Sequence, residues 1–166
     1  MRAFFALWPD EAQRRALHAQ AIDVAARAKG RAVAADKLHL TLVFLGEIDA
    51  ATADCLSAGA GRLDAGAIDL AMSRVGGWHR AGIAWVAPEE VPEALVRLQR
   101  GLADLARECG VALEARAFSP HLTLARGATA RIAEARCEPI MLRFREFCLV
   151  RSDLGSGRYE RIGRWK

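Results

Sequence analysis

A histidine followed two residues later by a threonine occurs twice in this chain, inside the same tetrapeptide. His-Leu-Thr-Leu occupies residues 39–42 and again residues 121–124. An unperturbed imidazole has a pKa of roughly 6.5, so near neutrality one histidine can accept a proton while another donates one. A threonine hydroxyl nearby can donate a hydrogen bond to an anion. The repeated motif therefore predicts a symmetric two-histidine site, to which each copy contributes one imidazole and one hydroxyl.

The alternation of polar residues and leucines in both copies is typical of a half-buried β-strand. In such a strand His39 and Thr41 lie on one face, as do His121 and Thr123, and the leucines lie on the other. The alternative is that each histidine is a satisfied residue at a sheet edge and each threonine a strand former. Repetition of the whole pattern, with threonine on the histidine face both times, favours the functional interpretation.

With these motifs and their flanks, the chain resembles the bacterial and archaeal RNA 2′,3′-cyclic phosphodiesterases, also called 2′-5′ RNA ligases, of the two-histidine phosphoesterase superfamily. That superfamily is marked by two His-x-Thr/Ser-x motifs. The resemblance runs through five segments in the family's order and covers nearly the whole chain. They are residues 2–10 (RAFFALWPD), 37–48 (KLHLTLVFLGEI), 84–86 (AWV), 118–127 (FSPHLTLARG) and 149–159 (LVRSDLGSGRY).

The resemblance implies a metal-free hydrolase that opens 2′,3′-cyclic phosphate ends of RNA to 2′-phosphates, with O3′ as the leaving group. The residues alone leave open which histidine is the acid, and the family pattern implies that His39 donates the proton and His121 accepts one. Thr41 and Thr123 are predicted to bind the phosphate. Arg126, which the family keeps, is predicted to bind phosphate or ribose, although strict alternation puts it on the opposite face from His121. A bulge or the strand end would have to turn it inward.

Patterning predicts an α+β fold for residues 1–166, a single two-lobed phosphoesterase domain. Its expected form is two related halves of mainly antiparallel sheet around a central cleft, with helices on the outer faces. Helices are predicted after Pro9 up to Gly30, from Asp49 or Thr52 to about Leu63, and from Pro92 to Gly110. Besides the motif strands, strands are predicted at 2–8, 68–75, 83–87, 111–113, 140–152 and 158–165.

The composition favours a phosphate-binding protein only weakly. A net charge of +4 and a pI of about 9.2 suit an acidic ligand, but many basic proteins bind no nucleic acid. Neither a P-loop nor a dinucleotide fingerprint is present, and the acidic residues near the first motif have no counterparts near the second. We therefore expect no cofactor and no metal, an RNA or oligonucleotide partner with a 2′,3′-cyclic phosphate end, and no membrane association.

Four cysteines lack the Cys-x-x-Cys spacing and lie in apolar surroundings. They are predicted to be reduced thiols of a monomeric cytoplasmic protein rather than a disulfide framework or a zinc site. They are Cys55, Cys109, Cys137 and Cys148.

Two alternative functions remain open on the sequence. One is a sister phosphodiesterase acting on another cyclic or 2′-5′ diester, because the motif contacts the phosphate and not the base. The other is a non-catalytic nucleotide- or RNA-binding module that keeps the cleft for recognition. Trp78, Phe5 and Tyr159 are candidates for base stacking, and His79 for a role in substrate entry, although aromatic residues of a small protein more often belong to the core. By microscopic reversibility, the proposed hydrolase would also join a cyclic end to a 5′-hydroxyl as a 2′-5′ linkage.

Overall fold

Three helices and nine strands form the computed structural model, which describes residues 1–166. The helices are α1 (Glu11–Ala28), α2 (Ala50–Ala60) and α3 (Glu93–Glu108). The strands are β1 (Arg2–Leu7), β2 (Arg31–Ala32), β3 (Leu40–Glu47), β4 (Ile68–Trp78), β5 (Ile83–Pro88), β6 (Leu122–Arg126), β7 (Ala135–Phe144), β8 (Phe147–Ser152) and β9 (Tyr159–Trp165). None of the helices is long and apolar enough to cross a membrane.

All nine strands join one antiparallel sheet, in the order β7-β4-β5-β6-β3-β1-β8-β9, with β2 beside β6. The two strands that follow the motif histidines, β3 and β6, are therefore neighbours in the middle of the sheet. A single residue pair, Leu40 with Leu122, joins them. The prediction of an α+β fold with mainly antiparallel sheet is confirmed.

The helices start within two residues of the predicted positions and bury their apolar faces. α1 is capped by Asp10, whose carboxylate accepts a hydrogen bond from the Gln13 backbone while the Gln13 side chain accepts one from the Asp10 backbone. Its buried residues are mostly small, which lets the helix approach the sheet closely. They are Leu17, Ala21, Val24, Ala25 and Ala28.

Two of the three helices, α1 and α3, pack across the middle of the sheet. α1, which precedes the first motif in the chain, packs against β6, β7 and β5, whereas α3, which precedes the second motif, packs against β3. α2 packs on α3. Because each motif strand is supported by a helix from the other half of the sequence, no boundary between halves can be read along the chain. The two-lobed arrangement stays a prediction.

Two predicted strands differ from the structure. Residues 140–152, predicted as one strand, belong to β7 and β8, with a turn at Arg145 and Glu146. Arg145 donates hydrogen bonds there to the Phe144 carbonyl and to Asp69. Residues 111–113 form no strand, because the Val111 amide bonds to the Ala106 carbonyl and closes the end of α3 instead of joining a ladder.

The prediction of four reduced cysteines is wrong for two of them. Cys55 on α2 and Cys109 at the end of α3 form a disulfide with a Cα–Cα distance of 5.9 Å. The packing of α2 on α3 brings these residues together, and their separation of 54 residues gives no sequence signal. Cys137 and Cys148 are free thiols. Burial raises the pKa of Cys148 to about 12, so that thiol stays protonated at neutral pH.

Reduction of the Cys55–Cys109 disulfide is expected to lower the free energy of unfolding by about 2–4 kcal/mol, because the bond restricts a long loop in the unfolded chain. Guanidinium titrations with and without dithiothreitol measure this difference. The double variant Cys55→Ser, Cys109→Ser should lose it, and Cys137→Ser should keep it as the matched control. Identical unfolding midpoints for oxidised and reduced wild-type protein would contradict the prediction.

Candidate active site

All five predicted site residues line one cleft of about 950 Å³ that opens over the middle of the sheet. They are His39, Thr41, His121, Thr123 and Arg126. The leucines of both motifs lie beneath them, with at most 3% of their surface exposed. The predicted division into a core face and a cleft face is therefore confirmed.

The pairing of β3 with β6 relates the two motifs by an approximate twofold. Leu40 faces Leu122 across the antiparallel pair. In such a pair the neighbouring positions set each histidine beside the threonine of the other strand. One imidazole and one hydroxyl thus come from each motif, and the four groups line the same cleft.

A β-bulge explains how Arg126 reaches the cleft. The ladder between β5 and β6 skips Leu124, so that Leu124 and Ala125 are buried one after the other. The extra residue reverses the alternation, and Arg126 returns to the face of Thr123. Simple alternation, which put Arg126 on the opposite face, fails for this reason.

β3 carries the same irregularity, and it brings Phe44 to the cleft. The β1–β3 ladder skips Leu42, the counterpart of Leu124. Phe44 follows His39 by five residues, as Arg126 follows His121, and its ring lines the cleft with the Arg2 guanidinium 4.7 Å away. Related positions of the two halves therefore hold an arginine on one side and a phenylalanine on the other. Phe44 was not among the predicted site residues, although the 82-residue offset between the two motifs aligns it with Arg126.

Both imidazoles are held in the same way. Nδ1 of His39 lies 2.7 Å from the Lys37 carbonyl oxygen, and Nδ1 of His121 lies 2.8 Å from the Ser119 carbonyl oxygen. A carbonyl oxygen only accepts hydrogen bonds, so each Nδ1 carries its proton. Nε2 is left as the nitrogen that can gain or lose a proton in the cleft.

The surroundings of the two histidines differ. The His39 ring stacks on Trp8 at 5.0 Å and on Phe4 at 4.8 Å, and it meets the edge of Tyr159 at 5.4 Å. His121 has one aromatic neighbour, Trp78, at 4.5 Å in an edge-to-face contact. His39 is thus enclosed by aromatic rings, whereas His121 is more open.

Burial lowers the pKa of both imidazoles. For His39 it is the largest cause, and with the charges of Arg126 and His121 it outweighs the opposing hydrogen bond to Lys37, which leaves the pKa at about 4. For His121 burial is again the first cause, followed by the charges of Arg116 and Arg126. The lowered pKa values favour the neutral form of both rings at pH 7.

The other candidates divide between cleft and core. Trp78 and Tyr159 line the cleft, whereas Phe5 is fully buried against Phe147 and cannot stack on a base. His79 is exposed after β4 and is not among the cleft residues. No group of three or more His, Cys, Asp or Glu residues is arranged to hold a metal ion.

Four other cations line the cleft and were not predicted from the sequence: Arg31, Lys37, Arg107 and Arg116. Arg31 and Lys37 come shortly before the first motif, in a segment without strong periodicity. Arg31 belongs to the two-residue strand β2, whose pairing depends on contacts far away in the sequence. No local pattern could have placed it at the site.

Comparison with known proteins gives consistent results. Residues 8–155 match the 2′-5′ RNA ligase superfamily. The chain is 38% identical over 129 residues to the RNA 2′,3′-cyclic phosphodiesterase of Escherichia coli (strain K12), covering 77% of this chain and 73% of that protein.

Solved structures agree over almost the whole chain. The crystal structure of E. coli LigT complexed with 3′-AMP superimposes with a TM-score of 0.86 at 33% identity, covering 99% of this chain and 96% of that one. The crystal structure of TT0787 from Thermus thermophilus superimposes with a TM-score of 0.79 at 26% identity over the same shares. By sequence match and by fold, the chain belongs to the 2′-5′ RNA ligase superfamily.

Proposed function

We propose that the protein is an enzyme that hydrolyses 2′,3′-cyclic phosphodiester ends of RNA to 2′-phosphomonoesters. The observation that carries this proposal is the pair of imidazoles at the starts of two neighbouring strands, each with Nδ1 bonded to a backbone carbonyl and Nε2 left free over one cleft. The relative in E. coli that bears the name RNA 2′,3′-cyclic phosphodiesterase supports the choice of substrate.

In the proposed mechanism His121 acts as the base and His39 as the acid. His121 Nε2 takes a proton from a water molecule while the oxygen of that water attacks phosphorus. The bond from phosphorus to O3′ breaks, and His39 Nε2 gives its proton to O3′, leaving a 2′-phosphate and a 3′-hydroxyl. Because the pKa of His39 is about 4 in the empty cleft, His39 must gain this proton when the anionic substrate binds.

Three further residues are proposed to bind the phosphate. The hydroxyls of Thr41 and Thr123 donate to its non-bridging oxygens, where negative charge builds up in the transition state. Arg126, turned inward by the bulge, contributes a guanidinium that no carboxylate in the protein neutralises.

Turnover of a nucleoside 2′,3′-cyclic phosphate by purified protein, dialysed against EDTA, tests the proposal. We expect hydrolysis to continue under chelation and phosphorus NMR to identify a 2′-phosphate product. A 3′-phosphate product would reverse the direction of opening. Binding without turnover would favour the recognition module, and loss of activity restored by a divalent ion would end the two-histidine mechanism.

The alternative within enzymes is a sister phosphodiesterase, because the proposed roles of the motif residues involve the phosphate and not the base. A linear 2′-5′ dinucleotide offered in competition with the cyclic phosphate separates the two. Hydrolysis of the cyclic substrate should be much faster, because its five-membered ring is strained. Joining of a cyclic end to a 5′-hydroxyl is proposed as the reverse reaction at the same site.

We also propose that the enzyme is cytoplasmic and monomeric. Cell fractionation tests the location, and light scattering tests the oligomeric state.

The pH dependence is expected to differ between kcat/KM and kcat. kcat/KM follows the free enzyme, in which burial lowers both histidine pKa values, so its bell-shaped profile should lie below neutrality. The bound anion favours the protonated rings and raises both pKa values, which moves the kcat profile to higher pH. The apparent values belong to the coupled pair.

Initial rates across the pH range, with circular dichroism as a control for folding, measure both profiles. Two profiles centred at the same pH would contradict this expectation.

Arg126→Ala is expected to raise KM for a nucleoside 2′,3′-cyclic phosphate more than it lowers kcat. A guanidinium that contacts the phosphate in ground state and transition state alike contributes uniform binding. Steady-state kinetics measure the split, and Arg62→Ala, an exposed arginine outside the cleft, is the charge-matched control. An unchanged KM would show that Arg126 does not contact the substrate.

A further inference from the structure

Two arginines lie directly opposite each other at the edge of the cleft. Arg31 of β2 pairs with Arg126 of β6, and both side chains are exposed to the cleft. Like charges in facing positions of a sheet are destabilising. Neither arginine takes part in any of the protein's ion pairs, although Arg107 and Arg116 of the same cleft each contact a carboxylate. An anion between Arg31 and Arg126 would remove this repulsion.

The backbone holds this pair in place. The Val33 amide donates to the Leu124 carbonyl at 2.8 Å, which continues the pairing of β2 with β6. A Cβ on Gly30 would lie 2.9 Å from the Arg126 carbonyl oxygen, so the close approach of the two strands requires glycine there. Gly127 has φ +65°, and a side chain at that position would meet the Arg31 guanidinium at 3.2 Å.

Arg31 lies beside Arg126, at the end of β6 away from His121. The charge of Arg126 lowers the pKa of both imidazoles, so Arg126 stands between the histidines and Arg31. A chain that ends in a 2′,3′-cyclic phosphate has no nucleotide beyond that end. The next phosphate is therefore the one on the 5′ side of the terminal ribose.

We propose that Arg31 binds the phosphate attached to the 5′ oxygen of the terminal nucleotide, and that Arg126, besides contacting the cyclic phosphate, faces this second phosphate from the opposite strand. This second anion site rests on the proposed function and gives the enzyme a preference for 5′-phosphorylated nucleotides and oligonucleotides over free nucleoside 2′,3′-cyclic phosphates. The same guanidinium pair would accept a 5′-phosphomonoester or an internucleotide diester.

Three substrates that carry the same nucleobase distinguish a 5′-phosphomonoester from an internucleotide diester as the ligand. They are a nucleoside 2′,3′-cyclic phosphate, its 5′-phosphorylated form, and a dinucleotide ending in the cyclic phosphate. Wild-type kcat/KM is expected to be about 10- to 100-fold higher for the second and third than for the first, as for one charge-assisted contact. Arg31→Gln should remove this preference, mainly through KM, and leave kcat/KM for the first substrate unchanged. A gain for the dinucleotide alone would identify the diester as the ligand.

Arg31→Lys should retain part of the preference, because lysine keeps the charge without the bidentate contact. Arg62→Gln, outside the cleft, should leave the preference intact. The logarithmic salt dependence of kcat/KM for the dinucleotide should become shallower by about 0.7 in Arg31→Gln, the value for one phosphate contact on a single strand. Equal losses on all three substrates, or no wild-type preference, would overturn the proposal.

If no substrate is hydrolysed, the proposed function fails while the second anion site remains testable. Calorimetric titration of a nucleoside 2′-phosphate and its 5′-phosphorylated form, with wild type and Arg31→Gln, then decides it. Equal affinities of the wild type for both ligands would overturn the site.

Discussion

Replacing either His39 or His121 by alanine is expected to lower the hydrolysis of 2′,3′-cyclic phosphates roughly 100-fold or more, because each imidazole moves one of the two protons of the reaction. In both rings a backbone carbonyl fixes Nδ1, so the proton is transferred through Nε2. Alanine has no titratable group and cannot replace this nitrogen. Steady-state rates of the two variants, with thermal unfolding as a check on folding, measure the effect.

The choice of leaving group distinguishes the roles of the two histidines. An aryl phosphodiester whose phenolate departs without a proton needs no acid. If His39 is the acid, His39→Ala should hydrolyse this substrate at close to the wild-type rate, and His121→Ala should remain inactive. Rescue of His121→Ala instead would reverse the assignment.

His39 packs against Phe4, Trp8 and Tyr159, so its replacement leaves a gap in the aromatic wall. His39→Gln and His121→Gln keep most of the volume and separate loss of packing from loss of proton transfer. Full activity in these glutamine variants, together with a flat pH profile, would end the two-histidine mechanism.

Removing the hydroxyl of Thr41 or Thr123 is expected to lower kcat about 10- to 1,000-fold, the range for the loss of one donor to a developing oxyanion. Valine is the appropriate replacement, because it keeps the β-branched shape and the strand preference of threonine. Because this shape and preference are retained, we expect the two central strands to fold normally in both valine variants.

Thr41→Ser and Thr123→Ser retain the hydroxyl and should keep most of the activity. The comparison of serine with valine in kcat, with equal thermal stability, isolates the contribution of the oxygen. Wild-type rates in both valine variants would reduce the two threonines to strand formers.

Local sequence was enough to predict the two motif strands and which face of each strand meets the core. Alternation in His-Leu-Thr-Leu is a local property of extended backbone, and the buried leucines and cleft-facing histidines follow from it. The helix starts could be predicted to within about two residues, at Pro9 and at Asp49 or Thr52, because capping depends on residues within one turn; the structure places the caps at Asp10 and Asp49. The resemblance between the segments around both motifs and a known family extended this local information to the fold.

Features that depend on distant contacts became visible only in the folded chain. The bulge at Leu124 turns Arg126 into the cleft. This bulge is a shift in the register between β5 and β6, which leaves Leu124 without a partner on β5. The Cys55–Cys109 bond and the opposition of Arg31 to Arg126 join residues far apart in the chain. The lowered histidine pKa values come from burial among rings supplied by other strands. Strand register, packing of helices and desolvation are set by the whole chain, and no short stretch of sequence contains them.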